Sequence, residues 1–600
     1  MTSGTGITAT ADIADVGTID VYHSKMPTPA IRLTVNTAAA NTQWTATVAA
    51  GPVTIKADEP DLRKLTLSFM ASVSTHQPIT VQIESLDGQG KVTGSASGEV
   101  YPAAPDYFQR YALEVSSLKP DGKNPFDPGS RQVRFIFGLK SEAGLPQAQT
   151  RELRIDNIEF ASPSFYVSPT GNDAADGKTE ATALAKPQTA IEKAGPGDII
   201  LLKGGQYTET EDVIRFIRPG TPAGWITVKN TPGETPMLKS TGWHTIRIGL
   251  GSKEAPSTGP GIAYVEVRGL HVVGTSSLDE TGKPVTPYPE LLGKPVAATN
   301  TNGVLIEGRS SKQTVHHIRL ADCVVTRNAG GGIIACYADW LQFENNITSD
   351  NSWFTVYATS GISILLGSDF DGTTGGYRFL ISGNRSFGNR CYQKWTSSSI
   401  DVAPRQLSDG NGIIIDTLGG NALLKKEPHA PFTGRALVVN NISCNNGGSG
   451  IHLFLSPNVD LVNNTTYLNG QTPELKYSQL YGYGSSGTNF VNNILVAPAG
   501  QNYNVSGGHG EAGNAQTIWS HNLFFGSDIA PRPGGTDEIM ADPKFRHPSS
   551  DARTADFSLR VGSPATAAGT RAVPNVPIPL IDIDGHHRPL DKNPSMGALQ

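Results

Sequence analysis

The sequence predicts an all-β chain in two parts, an antiparallel β-sandwich followed by a long parallel β-solenoid. Three observations carry this. Short strands of alternating polarity fill the first 160 residues, asparagines recur in paired columns from residue 346 onward, and glycine-led apolar segments accompany them. At 600 residues the chain is too long for one ordinary core, so several domains or one elongated repeat are required.

Composition agrees. The chain has 66 Gly and 41 Pro, and 17% of its residues are charged, without a long helical charge pattern. The net charge of −6 argues against a general nucleic-acid binder, which needs a strong basic excess. Membrane insertion is not expected: the longest aliphatic runs, such as IILL at 199–202, fall far short of a span. The opening MTSGTGITATADIADVG lacks the basic start and apolar core of a signal peptide. Cys323, Cys336, Cys391 and Cys444 show no CxxC spacing and read as reduced, buried small hydrophobes.

Residues 1–160 hold KLTLSFMASV, ITVQIESL, RQVRFIFGL and RELRIDNIEF, strands broken by Pro, Gly and Asp turns as in a sandwich. The ending RIDNIEFAS, 154–162, resembles the last strand of jelly-roll carbohydrate-binding modules. The solenoid is expected over 164–600. Its first segment, 165–207, runs from a strand through a Gly/Asp-rich turn into PQTAIEKA, a short amphipathic helix near 187–195, and on to GDIILLKGGQY. Such a helix can cap the open first coil of a solenoid. This segment resembles the first coil of right-handed parallel β-helix proteins of the pectate-lyase superfamily, which implies a right-handed parallel β-helix.

Repeats are expected over 262–530. FENNITSDN, ISGNRSFGN, VVNNISCNN and LVNNTTYLN each place a second asparagine five positions after the first: Asn346 and Asn351, Asn384 and Asn389, Asn441 and Asn446, Asn464 and Asn469. VNNILV and SHNLFF continue the first column. Stacked at ~4.8 Å, such side chains form an amide ladder. A second column is led by Gly303, Gly332, Gly361, Gly412 and Gly450. One and three positions on, the residues are apolar and should face inward; two and four positions on, they should face outward. The tail 531–600 resembles the closing coils of bacterial β-helix carbohydrate enzymes.

Adjacent coils bring unusual outward residues together. Asp416 and His452 lie diagonally, with Cα atoms ~8 Å apart, within reach of a His–carboxylate hydrogen bond. Tyr481 and Tyr483 follow one coil later, with Lys476 just before, and Asp409 and Asn411 lie in the turn that leads into the strand of Asp416. These residues form the candidate site face.

The layout resembles polysaccharide lyase family 9, and Asp409 matches one of that family's calcium aspartates. The resemblance implies a secreted or periplasmic, monomeric enzyme that cleaves a uronate-containing polysaccharide by β-elimination, with Ca²⁺ as cofactor. The remaining calcium aspartates are not matched, since Gly448, Ser449 and His452 stand where acids are expected, and the family's lysine base is not in place. His452 or Tyr481 is then the expected base, with Arg405, Arg390 or Lys394 neutralising the substrate acid. The alternative is a glycoside hydrolase, which needs two carboxylates ~5–9 Å apart. Asp409 and Asp416 qualify if the DGNG turn shortens their separation, and Asp369 and Asp371 are further candidates. A non-catalytic, adhesin-like reading remains beside both. In all three, Trp353, Tyr357 and Trp395 are placed to stack sugars.

Overall fold

A computed structural model describes residues 2–3, 7–15, 29–37, 44–55, 61–121, 124–144, 149–249, 261–308, 315–370, 372–396, 406–420, 430–475, 477–499, 505–506, 516–526 and 535–600. Arg405, Lys476 and Asp371, which the sequence offers as site candidates, lie outside these residues.

Strands between Thr2 and Ala161 form two antiparallel sheets of six and five strands. Alternating residues fill the space between them: Leu67, Phe69, Val81, Ile83, Phe135, Phe137 and Leu153 are essentially inaccessible. Phe165–Val167 then begins a parallel β-helix, right-handed as parallel crossovers are. The helix Pro187–Lys193 packs Pro187, Ala190 and Ile191 over the first coil.

The β-helix has three parallel faces. One is an 11-stranded sheet. The other two are stacks that share the long strand Ile333–Glu344 and together form a 19-stranded sheet. The stack called here the site sheet runs through Ile214–Phe216, His244–Ile248, Asn302–Glu307, the start of Ile333–Glu344, Ile362–Gly367, Ile413–Asp416, Ile451–Phe454, Leu480–Tyr483 and Val505–Ser506. Its inward residues, among them Ile413, Ile415, Ile451 and Leu453, are fully buried in the solenoid core.

Both asparagine columns are continuous ladders. Asn346, Asn384, Asn441, Asn464, Asn493 and Asn522 pass one amide bond from coil to coil at 2.9–3.0 Å. The second ladder starts at Asn328 and runs through Asn351, Asn389, Asn446 and Asn469 to Gln479. These side chains are buried, so each must satisfy its amide internally. They also explain the glycine column. A Cβ on Gly361, Gly412 or Gly450 would sit 2.5–2.8 Å from the Nδ2 of Asn389, Asn446 or Asn469. Only glycine lets the strand pass so close to the ladder.

The sandwich docks on the third face through a buried ionic network. Arg110 and Arg319 both reach Glu266, at 2.9 and 2.6 Å, and Arg319 also binds Glu344 at 2.7 Å. Burial alone would raise the Glu266 pKa, but Arg319 and Arg110 hold it down to about 2. Met70, Tyr107 and Phe108 of the sandwich pack beside this network on Trp225, Tyr264 and Trp340. All four cysteines are free and buried. No helix among the described residues is long and apolar enough to cross a membrane.

Candidate active site

The site face is the outer surface of the site sheet where Ile413–Asp416, Ile451–Phe454 and Leu480–Tyr483 lie side by side. Register puts Ile414, His452 and Tyr481 in one row, and Asp416, Phe454 and Tyr483 in the next. Asp409 enters from the turn before the first strand. That turn has two successive left-handed residues, Asp409 at φ 62° and Gly410 at φ 68°. Gly410 is obligatory on a second count: a Cβ there would lie 2.7 Å from the Cys391 nitrogen.

The turn folds Asp409 back toward Asp416 across the apolar strand. The Asp416 charge is felt at Asp409. Burial, reinforced by the Asp416 charge, pushes the Asp409 pKa up to about 7, against hydrogen bonds from Ser408 and Ser360 that favour its charged form. Burial pushes Asp416 up to about 6, and its neighbour Thr417 donates a hydroxyl to it. Ser408 Oγ donates to Asp409 Oδ2 at 2.8 Å. The pair thus combines a carboxyl that keeps its proton near neutrality with one that loses it more readily.

Tyr477 completes the pocket. Burial and the Asp409 charge raise its phenol pKa, and a hydrogen bond with Ser408 opposes that rise. Its ring meets His452 edge-on at 4.9 Å and lies 5.4 Å from Tyr481. Tyr477 is not among the residues that the sequence pattern singles out. The available signal is Gln479, two residues on, which ends the second ladder ten residues after Asn469.

Several expectations need correction. The hydrogen bond between His452 and Asp416 is not made. The imidazole instead packs against Tyr481, with ring centroids 4.4 Å apart, and its Nδ1 has no hydrogen-bond partner among the described residues. Burial lowers its pKa to about 3, so it stays neutral and is too weak a base for proton abstraction near neutrality. Trp353 presents no face for stacking sugars. It is 3% exposed, and its indole N–H donates to the Gly388 carbonyl at 3.1 Å, so it packs a loop. Asn411 is fully buried and is committed to Ser360, Asp409 and the Ser449 N–H, which makes it a brace for the turn rather than a contact for substrate. Asp369 is consumed in an ion pair with Arg378.

Other predicted residues sit where a ligand could meet them. Tyr481 is half-buried on the site face, and Tyr483 stacks on Phe454 at 5.3 Å with rings 10° apart. Arg390 lies over Gly447 beside the Asp409 turn, with its guanidinium 5.7 Å from the Tyr392 ring. Lys394 is exposed and Trp395 half-buried in the same loop.

The residues do not fit the calcium ion implied by the family resemblance. Ca²⁺ takes six to eight oxygens, preferably charged. No group of three or more His, Cys, Asp or Glu among the described residues could hold a metal, and Asp409 sits where burial favours its neutral form.

No protein-family model matches the sequence, and no curated protein is significantly similar to it. Among solved structures, the pectate lyase Pel9A is 15% identical and aligns over 68% of this chain and 91% of its own, with a TM-score of 0.34. A lacto-N-biosidase of glycoside hydrolase family 136 from Eubacterium ramulus is 15% identical over 63% of this chain and 68% of its own, at a TM-score of 0.33. A family 11 carbohydrate-binding module from Clostridium thermocellum is 12% identical over 27% of this chain and 86% of its own, at a TM-score of 0.19.

Proposed function

We propose that this chain is a polysaccharide-active enzyme that hydrolyses a glycosidic bond, with Asp409 and Asp416 as its acid–base pair. One observation carries the reading: two half-buried carboxyls lie on one face of the site sheet, close enough for the Asp416 charge to act on Asp409, and desolvation raises both toward neutrality. Breaking a glycosidic bond requires a proton for the departing oxygen and a carboxylate on the other side of the anomeric carbon. Asp409, the weaker acid, holds its proton near neutrality and delivers it to the leaving oxygen as the C–O bond breaks. Asp416, ionised above about pH 6, either attacks the anomeric carbon or takes a proton from the attacking water. Where Asp416 attacks, water then displaces it from the sugar and gives its proton to Asp409. Where Asp416 acts as base, it releases the water's proton to solvent and Asp409 is reprotonated from solvent, so one water is consumed on either route. Tyr481 and the stacked pair Phe454 and Tyr483 supply flat surfaces for the apolar faces of sugar rings.

The experiment is incubation with a panel of neutral and acidic polysaccharides. New reducing ends without the ultraviolet absorbance of an unsaturated uronate are expected. Asp409→Asn and Asp416→Asn should each lower turnover by ~10²-fold or more. Wild-type rates in both variants would remove the pair from the mechanism.

One observation favours the β-elimination reading as a second. The Arg390 guanidinium makes no ion pair among the described residues and lies beside the Asp409 turn, where it could neutralise a uronate carboxylate. Absorbing, unsaturated products that decline in Arg390→Ala would select this reading over hydrolysis.

A further inference from the structure

We propose that Trp243 and Tyr357 form a second, distal glycan-binding subsite for a polysaccharide chain lying along the solenoid axis. The inference rests on the reading of the site face as glycan-cleaving, and it adds that the substrate is a polymer held several sugars away from the carboxyl pair.

Placement comes from register. Trp243, Thr301, Gly330, Thr359 and Gly410 occupy equivalent places in successive coils, at the leading edge of the site sheet. Four inter-strand steps at ~4.8 Å each therefore put Trp243 ~19 Å from the turn that carries Asp409. Both lie on the same edge, so a chain running across the coils would meet them in succession.

Exposure and rigidity together set this pair apart from scattered surface aromatics. Trp243 is 41% exposed and Tyr357 43% exposed, although they come from segments more than a hundred residues apart, and their rings lie 6.3 Å from each other. Tyr357 is held there by a buried anchor. Asn300 is 1% exposed, and its Oδ1 accepts from Val356 N and Thr355 Oγ1 at 2.9 and 3.0 Å. Its Nδ2 donates to the Val296 and Lys294 carbonyls at 2.7 and 3.0 Å. The buried carboxamide thus ties residues 355–356, just before the exposed ring, to the 294–296 segment. Preorganised, exposed aromatic faces suit the apolar face of a pyranose, because little entropy is lost on binding.

The wall continues toward the pair. Thr396 N donates to the Val356 carbonyl, tying the Tyr357 loop to the next one, which carries Tyr392 at 44% exposure with Arg390 over its ring. Between the distal rings and Asp409, the floor of the sheet presents the row Leu305, Ile334, Ser363 and Ile414, apolar but for one serine.

The test is affinity electrophoresis of the full chain through gels containing soluble β-glucan, arabinoxylan, galactomannan or polygalacturonate. At least one polymer should retard the wild type. Trp243→Ala and Tyr357→Ala should each weaken that binding by about 3- to 10-fold. Trp243→Phe, which keeps a ring, should retain most of it, and so should Asp409→Asn. Wild-type binding in the double alanine variant, or no retardation of the wild type by any of the four, overturns the subsite. Failure of the hydrolytic reading looks different: binding stays sensitive to Trp243 and Tyr357, while no turnover depends on Asp409.

Discussion

Asp409→Asn should make the protein more stable and inactive at once. A carboxyl with a pKa of 3.8 in the unfolded chain and about 7 in the folded one costs the native state about 4 kcal/mol once both are ionised. The sign follows from which state ionises first. Below about pH 4 both states hold the proton and no penalty exists. As pH rises the unfolded chain ionises first, so the penalty grows from about pH 4 and is complete above about pH 7. Asparagine has nearly the same shape and never ionises; with its oxygen toward Asn411 it accepts that bond, and its NH2 can donate to Ser408 Oγ, whose hydroxyl rotates to accept. The variant should therefore gain about 2–4 kcal/mol at pH 8, and the gain should shrink below about 1 kcal/mol near pH 4. Urea unfolding followed by tryptophan fluorescence at both pH values measures it. A variant less stable than wild type at pH 8, or an advantage of equal size at both pH values, would refute the assignment of a raised pKa to Asp409. A gain in stability bought with activity is the pattern expected of an active-site residue.

Two other perturbations test the scaffold. Asn441→Ala interrupts the first ladder in its middle: the Asn384 N–H loses its acceptor, the Asn384 amide keeps only its bond to Phe343, the Ile381 carbonyl loses the Asn441 amide, and Asn464 Oδ1 keeps only the Asn441 N–H. It should cost at least about 3 kcal/mol by urea unfolding, and a loss under about 1 kcal/mol would show that the ladder is ornamental. Arg110→Ala leaves Glu266 and Glu159 short of a partner at the sandwich contact. It should destabilise by about 3 kcal/mol and expose the junction near residue 162 to limited proteolysis, whereas an unchanged digestion pattern would contradict this account of the contact.

How much of this was legible in the sequence follows from the range of each interaction. The ladders were legible because a solenoid repeats one local environment, so Asn346, Asn384, Asn441 and Asn464 carry the same signature in the same place. Inward and outward faces followed from the period-two pattern, and Ile413 and Ile415 are buried as that pattern requires. Proximity of His452 to the site row was also legible, since register alone sets it. Its chemistry was not. Whether the imidazole turns toward Asp416 or toward Tyr481 is a choice of side-chain rotamer made by packing, and packing chose the tyrosines. Trp353 was misread for a related reason, because an aromatic residue in a loop looks the same in sequence whether it faces a ligand or fills a gap. The approach of Asp409 to Asp416 depended on two left-handed residues in one turn, which the DGNG run permits but does not dictate. Tyr477 and Trp243 became visible only when distant loops were placed beside them.

The central claim is that Asp409 and Asp416 act as acid and base, and the pH dependence of kcat/KM tests it most directly. With Asp416 required ionised and Asp409 required protonated, the profile should be bell-shaped, with limbs near 6 and 7, and should collapse in either Asp→Asn variant. A profile that is flat through this range, or that rises steadily toward the tyrosine range and survives both substitutions, would contradict the account.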